Sequence, residues 1–353
     1  MAERRPLPSD PRRIAPPLAV GPALRRTLLD VHGPAAAAWI DGLPALLAAC
    51  AARWRLAIGA PFAPPSYAFV APARRADGAA VVVKAAPPGR ALSAEAAALA
   101  AFDGRGAVRL LAADLARGVV LLERVQPGTP LLALVEAGRD DEATAVAASV
   151  MRGLQHPSPA MPPPTLGFPT VADWVGGLAR LRARYDGGTG PLPARLVARA
   201  EALAAALGGP EAVAPAAAMA TSPPAAPPAP RPALLHGDLH HGNVLDGGAD
   251  GWRAIDPHGV VGEPAFEAAA LLRNPLPWLL AGGERAARDI LARRIAILAE
   301  ALDAEPARVA GWGLVGAVLS AWWSVEDHGA GWEGAIAVAA AIEGTMTGGR
   351  AAV

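Results

Sequence analysis

The sequence predicts an α+β chain of two lobes, a small antiparallel sheet followed by a mainly helical remainder. Three observations lead there. Short β-rich runs cluster between Arg55 and Val125, and apolar residues recur at helical spacing through most of the chain beyond Leu131. Between the two patterns lies the turn-rich joint Gln126-Pro-Gly-Thr-Pro-Leu131. The expected organisation is a disordered tail over residues 1–20, a first lobe over 21–126 and a second over 127–353, the last interrupted by an Ala/Pro-rich linker at 208–232. At 353 residues the chain is long enough for two domains or one bilobed enzyme.

Composition removes several function classes. The 32 basic residues balance 32 acidic ones, so no global field draws the protein to nucleic acid or anionic lipid. Cys50 is the only cysteine, which excludes an intrachain disulfide and suits a reducing, cytoplasmic compartment. Its place in an Ala/Leu-rich helical run reads as core packing. Residues 1–17 are Pro- and Arg-rich with no apolar segment, so they are not read as a secretory signal. The one membrane-like stretch, the 17 uncharged residues Val309 to Val325, is short of the roughly 20 that a bilayer span needs. It reads as a buried helix of the second lobe.

In order, Ala36 to Leu56 has helical spacing and reads as one or two helices. The strands come next: Arg55–Ile58, Tyr67–Ala71, Ala79–Lys84, Val108–Asp114 and Gly118–Val125, with Arg75-Ala-Asp-Gly78 as a hairpin turn. Lys84 ends an apolar Val-Val-Val strand and is the only lysine, every other one of the 32 basic residues being arginine. It is either a functional ammonium or a snorkelling strand-end lysine. Ser93 is the expected N-cap of the next helix, whose Glu95 sits in its first turn. In the second lobe helices are expected over Glu142–His156, Val171–Tyr185, Pro193–Leu207, Glu263–Asn274, Gly283–Leu302, Glu305–Trp323 and Trp332–Gly344. His156, before Pro157, reads as packing. Prolines in the 208–232 stretch exclude helix or sheet interior there.

The chemistry concentrates in Leu234-Leu-His-Gly-Asp238-Leu-His-His-Gly-Asn243-Val-Leu245 and the strand Trp252–Ile255 that delivers Asp256. A strand–loop–strand hairpin here presents Asp238, Asn243 and Asp256 to one point. One carboxylate to orient an attacking hydroxyl, with an amide oxygen and a second carboxylate for Mg2+, is the set that phosphoryl transfer needs. His236, Asp238, His240 and His241 also have the spacing of a zinc cluster, but zinc leaves Asn243, Asp256 and Lys84 without a role. A plain polar turn is the remaining alternative.

His236-Gly-Asp-Leu-His-His-Gly-Asn243 resembles the catalytic loop of the aminoglycoside phosphotransferases. Ile255-Asp-Pro-His-Gly-Val-Val-Gly-Glu-Pro-Ala-Phe-Glu267 is similar to the branch of streptomycin 6-phosphotransferases and hydroxyurea-resistance kinases. Trp39-Ile-Asp-Gly-Leu-Pro-Ala-Leu46 is similar to that branch too. The resemblance implies a bilobed protein-kinase-like fold, ATP and Mg2+ as cofactors, and ATP bound between the lobes. It makes Asp238 the catalytic residue, Asn243 and Asp256 the metal ligands, and Lys84, fixed by Glu95, the phosphate contact. Backbone groups near Glu123 and Val125 would meet the adenine edge, with Leu122 against the ring. The connection Gly59–Ser66 occupies the phosphate-covering loop but lacks the Gly-x-Gly-x-x-Gly pattern; Ser66 is either a phosphate donor or an ordinary loop serine.

For the acceptor, a cationic aminoglycoside needs carboxylates. Glu326 and Asp327, in the run Trp322-Trp-Ser-Val-Glu-Asp-His328, are the candidates. Asp173 and Glu267 read better as solvated helix-end acids. The expected function is ATP-dependent phosphorylation of an aminoglycoside hydroxyl, streptomycin-like and conferring resistance. The alternatives are a same-fold kinase of hydroxyurea, a sugar amine or a metabolite, or a non-catalytic nucleotide-binding protein. A monomer or weak dimer, with no nucleic acid or membrane partner, is expected.

Overall fold

A computed structural model of the chain describes residues 20–63, 67–155, 167–208 and 231–348. The tail read over 1–20 (residue 20 apart), Ser66, His156 and the Ala/Pro-rich stretch from 209 to 230 lie outside the described residues. The chain forms two compact units, one of residues up to Gly104 with Val108–Val125, the other of Arg105–Ala107 with everything from Gln126.

The N-terminal unit opens with α1 (Pro22–His32) and α2 (Ala37–Trp54). The first was not expected: it is short, with Leu24 and Leu28 one turn apart on its buried face, Leu29 packed partly against the core, and Arg25-Arg26 between them. Strands β1 (Leu56–Ile58), β2 (Phe69–Arg75) and β3 (Ala80–Ala85) lead to α3 (Arg90–Phe102), then β4 (Leu110–Asp114) and β5 (Val119–Glu123). The sheet is antiparallel in the order β1-β2-β3-β5-β4. Between β2 and β3 the Arg75–Gly78 turn closes with the Gly78 amide on the Arg75 carbonyl, Gly78 having φ +87°. One core joins α1, α2 and the sheet through Leu28, Ile40, Leu43, Leu47, Phe69, Val83 and Leu121. Cys50 belongs to it, and burial raises its thiol pKa. Residues Pro34–Trp54 are long and apolar enough to cross a membrane by length and composition; Ile40, Leu43, Leu47 and Cys50 among them face this core.

Ser93 is not the N-cap expected of it. The helix begins at Arg90 with Gly89 as the capping residue, and the Ser93 hydroxyl, already inside the first turn, donates to the Gly89 carbonyl. A serine inside a helix commonly finds the carbonyl four residues back.

The C-terminal unit begins with α4 (Leu132–Glu136), α5 (Asp140–Gln155), α6 (Val171–Arg184) and α7 (Ala194–Leu207). Four short strands come next: β6 (Ala233–Leu235), β7 (Val244–Asp246), β8 (Trp252–Ala254) and β9 (Val260–Gly262). They pair as two antiparallel ladders, β6 with β9 and β7 with β8. A 3-10 turn at Pro264–Glu267 runs into α8 (Ala268–Leu272), followed by α9 (Leu276–Leu280), α10 (Gly283–Ala301), α11 (Pro306–His328) and α12 (Glu333–Gly348). The membrane-like stretch is the middle of α11, buried against α6, α7, α8, α10 and α12. At Gly316 an added Cβ would meet the Ala269 methyl at 2.5 Å, so the missing side chain is what lets α11 approach α8.

A buried ion pair ties α5 to α10. Arg294 is wholly buried and its Nη2 donates to Asp140 Oδ1 at 2.6 Å. Its Nη1 donates to the carbonyls of Leu271 (3.0 Å) and Asn274 (2.6 Å), at the end of α8. Removing one partner of such a pair leaves a buried charge uncompensated, which costs about 3–5 kcal/mol. Asp140→Ala is therefore expected to lower unfolding stability by about that amount, read from the urea midpoint; an unchanged midpoint would show the pair to be dispensable.

Candidate active site

The loop after β6 is held from two sides. Gly237 has φ +84°, and a Cβ there would meet the Trp174 indole at 2.7 Å and Val260 at 3.1 Å, so only glycine fits. The buried Glu267 carboxylate accepts the amides of His236 (2.6 Å) and Gly237 (3.0 Å). From the other side the amides of His258 (2.8 Å) and Gly259 (3.2 Å) donate to the His236 carbonyl. Burial pushes the Glu267 carboxyl up to about 7, against the lowering effect of the two amides. The reading of Glu267 as a solvated helix-end acid is thus corrected: it is 1% exposed and organises the loop.

His236 is fully buried, with Nε2 donating to the Ile255 carbonyl (2.8 Å) and Nδ1 accepting the Asp238 amide (3.3 Å). Both ring nitrogens are committed to the backbone in a neutral tautomer. Nδ1 of His240 accepts the Gly242 amide at 3.0 Å. His241 is buried with neither nitrogen bonded.

Asp238 projects from this loop, its side chain 23% exposed. Its Oδ1 accepts Arg273 Nη2 at 2.8 Å, while Oδ2 faces His240 Nε2 at 3.6 Å, beyond hydrogen-bond length. Burial works to raise the carboxyl pKa, but Arg273, then His240, outweigh it and hold the group below its usual value. Asn243 donates its Nδ2 to the Asp238 carbonyl (3.0 Å). Its own carbonyl accepts the Ile255 amide at 2.9 Å, one rung beyond the Val244–Ala254 pair. Antiparallel register therefore brings Asn243 and Asp256 to the same end of the β7–β8 ladder, with Asp256 at φ +60°. An amide oxygen and a carboxylate are hard donors of the kind Mg2+ takes. Among the described residues no three or more His, Cys, Asp or Glu gather as a metal cluster.

In the N-terminal unit Lys84 Nζ lies 2.7 Å from Glu95 Oε2, their side chains 11% and 9% exposed. The lysine comes from β3 and the glutamate from α3. At the end of β5, Glu123 Oε2 accepts the Arg109 amide at 3.0 Å, Val125 is half-buried, and Leu122 is buried. Ser66 lies outside the described residues.

The proposed acceptor acids both lie on α11. Glu326, in the last turn of α11, is paired with Arg180 at 3.2 Å, and Asp327 beside it is exposed. Asp173 completes a capping box with Thr170 at the start of α6. Two neighbours of the loop were missed: Arg273 and Trp174. Trp174 stands edge-on to His258, Phe266 and Trp323, with ring centroids 6.2, 6.0 and 5.6 Å away. A signal for Arg273 existed, since it ends the apolar run Ala268–Leu272 much as Lys84 ends its strand.

The pH dependence of this loop has a definite sign. Burial holds His236 at about 4, below the ordinary histidine value of 6.5. A base with a depressed folded pKa stabilises above its unfolded pKa and loses that contribution as pH falls through the folded one. Lowering the pH from 7 to 4.5 should remove roughly 2–3 kcal/mol through this histidine alone. Urea unfolding at both pH values, for the wild type and His236→Gln, checks it; an equal loss in both proteins would clear His236.

Comparison with known proteins places the whole arrangement. A choline/ethanolamine kinase family protein from Mesorhizobium loti superposes with a TM-score of 0.52, covering 79% of this chain and 85% of that one at 14% identity, a likeness of fold. The streptomycin 6-kinase of Streptomyces griseus is 33% identical over 290 residues, 82% of this chain and 85% of that one. The hydroxyurea phosphotransferase of Kitasatospora aureofaciens is 33% identical over 316 residues, 90% and 83% of the two chains. The aminoglycoside/hydroxyurea antibiotic resistance kinase family matches residues 53–328. With the small antiparallel sheet, the helical remainder and the Asp238 loop, these likenesses have one meaning: the chain is a protein-kinase-like phosphotransferase and belongs to the aminoglycoside/hydroxyurea antibiotic resistance kinase family.

Proposed function

We propose that this protein transfers the γ-phosphoryl group of ATP to a hydroxyl of a streptomycin-like aminoglycoside. The observation that carries the reading is the loop after β6, which presents Asp238 with Asn243 bonded to its carbonyl, while the β7–β8 register brings Asp256 to the same end of the ladder. Asp238 accepts the acceptor hydroxyl's hydrogen bond and orients it for in-line attack. A carboxylate held charged by Arg273 is a weak base toward an alcohol, so orientation is its main contribution. Asn243 and Asp256 would hold Mg2+, which would supply charge neutralisation at the phosphates. Lys84, kept in place by Glu95, contacts the α- and β-phosphates as a compact charge. The backbone near Glu123 and Val125 meets the adenine edge.

The streptomycin-like acceptor is supported by three relatives named streptomycin kinases. Glu326 and Asp327 receive its cationic groups. The Arg180–Glu326 pair, with side chains 53% and 31% exposed, is a surface ion pair worth about 0–1 kcal/mol, so a cationic ligand displaces it at small cost. Hydroxyurea is the second reading, favoured by the relative that spans 90% of this chain.

ADP release from Mg-ATP against streptomycin, a 2-deoxystreptamine aminoglycoside, hydroxyurea and no acceptor tests both. Release is expected with streptomycin and should fall about a thousandfold in Asp238→Ala at near-normal ATP affinity; undiminished turnover in that variant would sink the assignment. Lys84→Arg should lower kcat/KM for ATP although the charge is kept. Full activity there would return Lys84 to an ordinary strand-end role.

A further inference from the structure

The proposed transfer uses one oxygen of Asp238, and the structure occupies the other. Arg273 Nη2 sits 2.8 Å from Oδ1, with the arginine side chain 14% exposed and the aspartate 23%. We infer that Arg273 is the positioning residue of the catalytic carboxylate, its guanidinium holding Oδ1 so that Oδ2 alone meets the acceptor hydroxyl.

Two features make Arg273 a fixed anchor. It caps α8, with its amide on the Ala269 carbonyl. The carbonyls on either side of it in sequence, Leu271 and Asn274, both accept from Nη1 of the wholly buried Arg294, itself held by Asp140. The Asp238 backbone is fixed independently, its amide on His236 Nδ1 and its carbonyl receiving Asn243 Nδ2. With both ends of the pair immobile, the carboxylate has one orientation, and a hydroxyl at Oδ2 meets a lone pair of set direction. His240 also faces the carboxylate: its Nδ1 is taken by the Gly242 amide, and its Nε2 stands 3.6 Å from Oδ2, beyond hydrogen-bond length.

The inference rests on Asp238 acting in the proposed way, and the test separates the two. ADP release to streptomycin, or the slow release to water where streptomycin does not turn over, is measured for the wild type, Arg273→Ala, Arg273→Lys and Asp238→Ala. ATP affinity and thermal unfolding are recorded beside it. Arg273→Ala should lose about 100-fold in kcat, the scale of a misplaced catalytic group, with KM for both substrates and ATP affinity little changed. Arg273→Lys should recover part of the loss, because the contact is a single hydrogen bond, and added ethylguanidinium should recover part of it in Arg273→Ala. Wild-type kcat in Arg273→Ala beside an inactive Asp238→Ala would overturn the role of Arg273 alone. So would a loss matched by weaker ATP binding and a lower melting temperature that neither lysine nor ethylguanidinium restores, the mark of a purely structural pair. Full turnover in Asp238→Ala would remove the reading of Asp238 and this inference with it.

Discussion

The geometry of the loop depends on one buried carboxylate. Glu267 accepts two consecutive amides, those of His236 and Gly237, just before Asp238 leaves the backbone. Without it these two donors would sit in an apolar surround, next to Phe266 and Trp174, with nothing to bond. An unsatisfied buried amide costs about 1–3 kcal/mol, and two adjacent ones would favour a different loop path. Because Glu267 opens α8, the loop takes part of its position from the helical layer beneath it, and part from the His258–Gly259 stretch that leads into β9.

That layer is itself locked by charge. Arg294 reaches from α10 to Asp140 on α5 and to the two carbonyls that end α8. Glu263, before the 3-10 turn, takes Arg308 and the Trp312 indole N–H from α11. Each end of the segment from Glu263 to Asn274 is thus tied to a different long helix. The glycines of α11 let that helix press on the middle of the segment, where Gly316 meets Ala269. A segment fixed at both ends and pressed at its centre has little freedom, and it carries both Glu267 and Arg273.

Sequence patterns revealed the parts whose signal is local. The β-rich runs, the Arg75–Gly78 turn and the Asp238–Asn243–Asp256 spacing need only neighbouring residues to be read, and Lys84 stands out by rarity. Glu267 and Arg273 stayed hidden because their meaning is tertiary: one is an acid whose burial depends on α8 turning inward, the other a base whose partner lies 35 positions away. The same limit hid the Arg180 partner of Glu326, which sits 146 positions back; the Thr170 cap of Asp173 is local and was overlooked. Ser93 erred in the opposite direction, since a local preference for capping yielded to a helix that starts one turn earlier at Gly89.

The rarity of Lys84 has a practical side. Nearly every cationic side chain here is a guanidinium, which acylating and reductive-alkylating reagents leave untouched at neutral pH, so this chain carries a single amine side chain for them to find. That amine is 11% exposed and held by Glu95. Read at the peptide that contains Lys84, apart from any α-amine, its rate of modification reports the opening of the contact between β3 and α3 without an engineered probe.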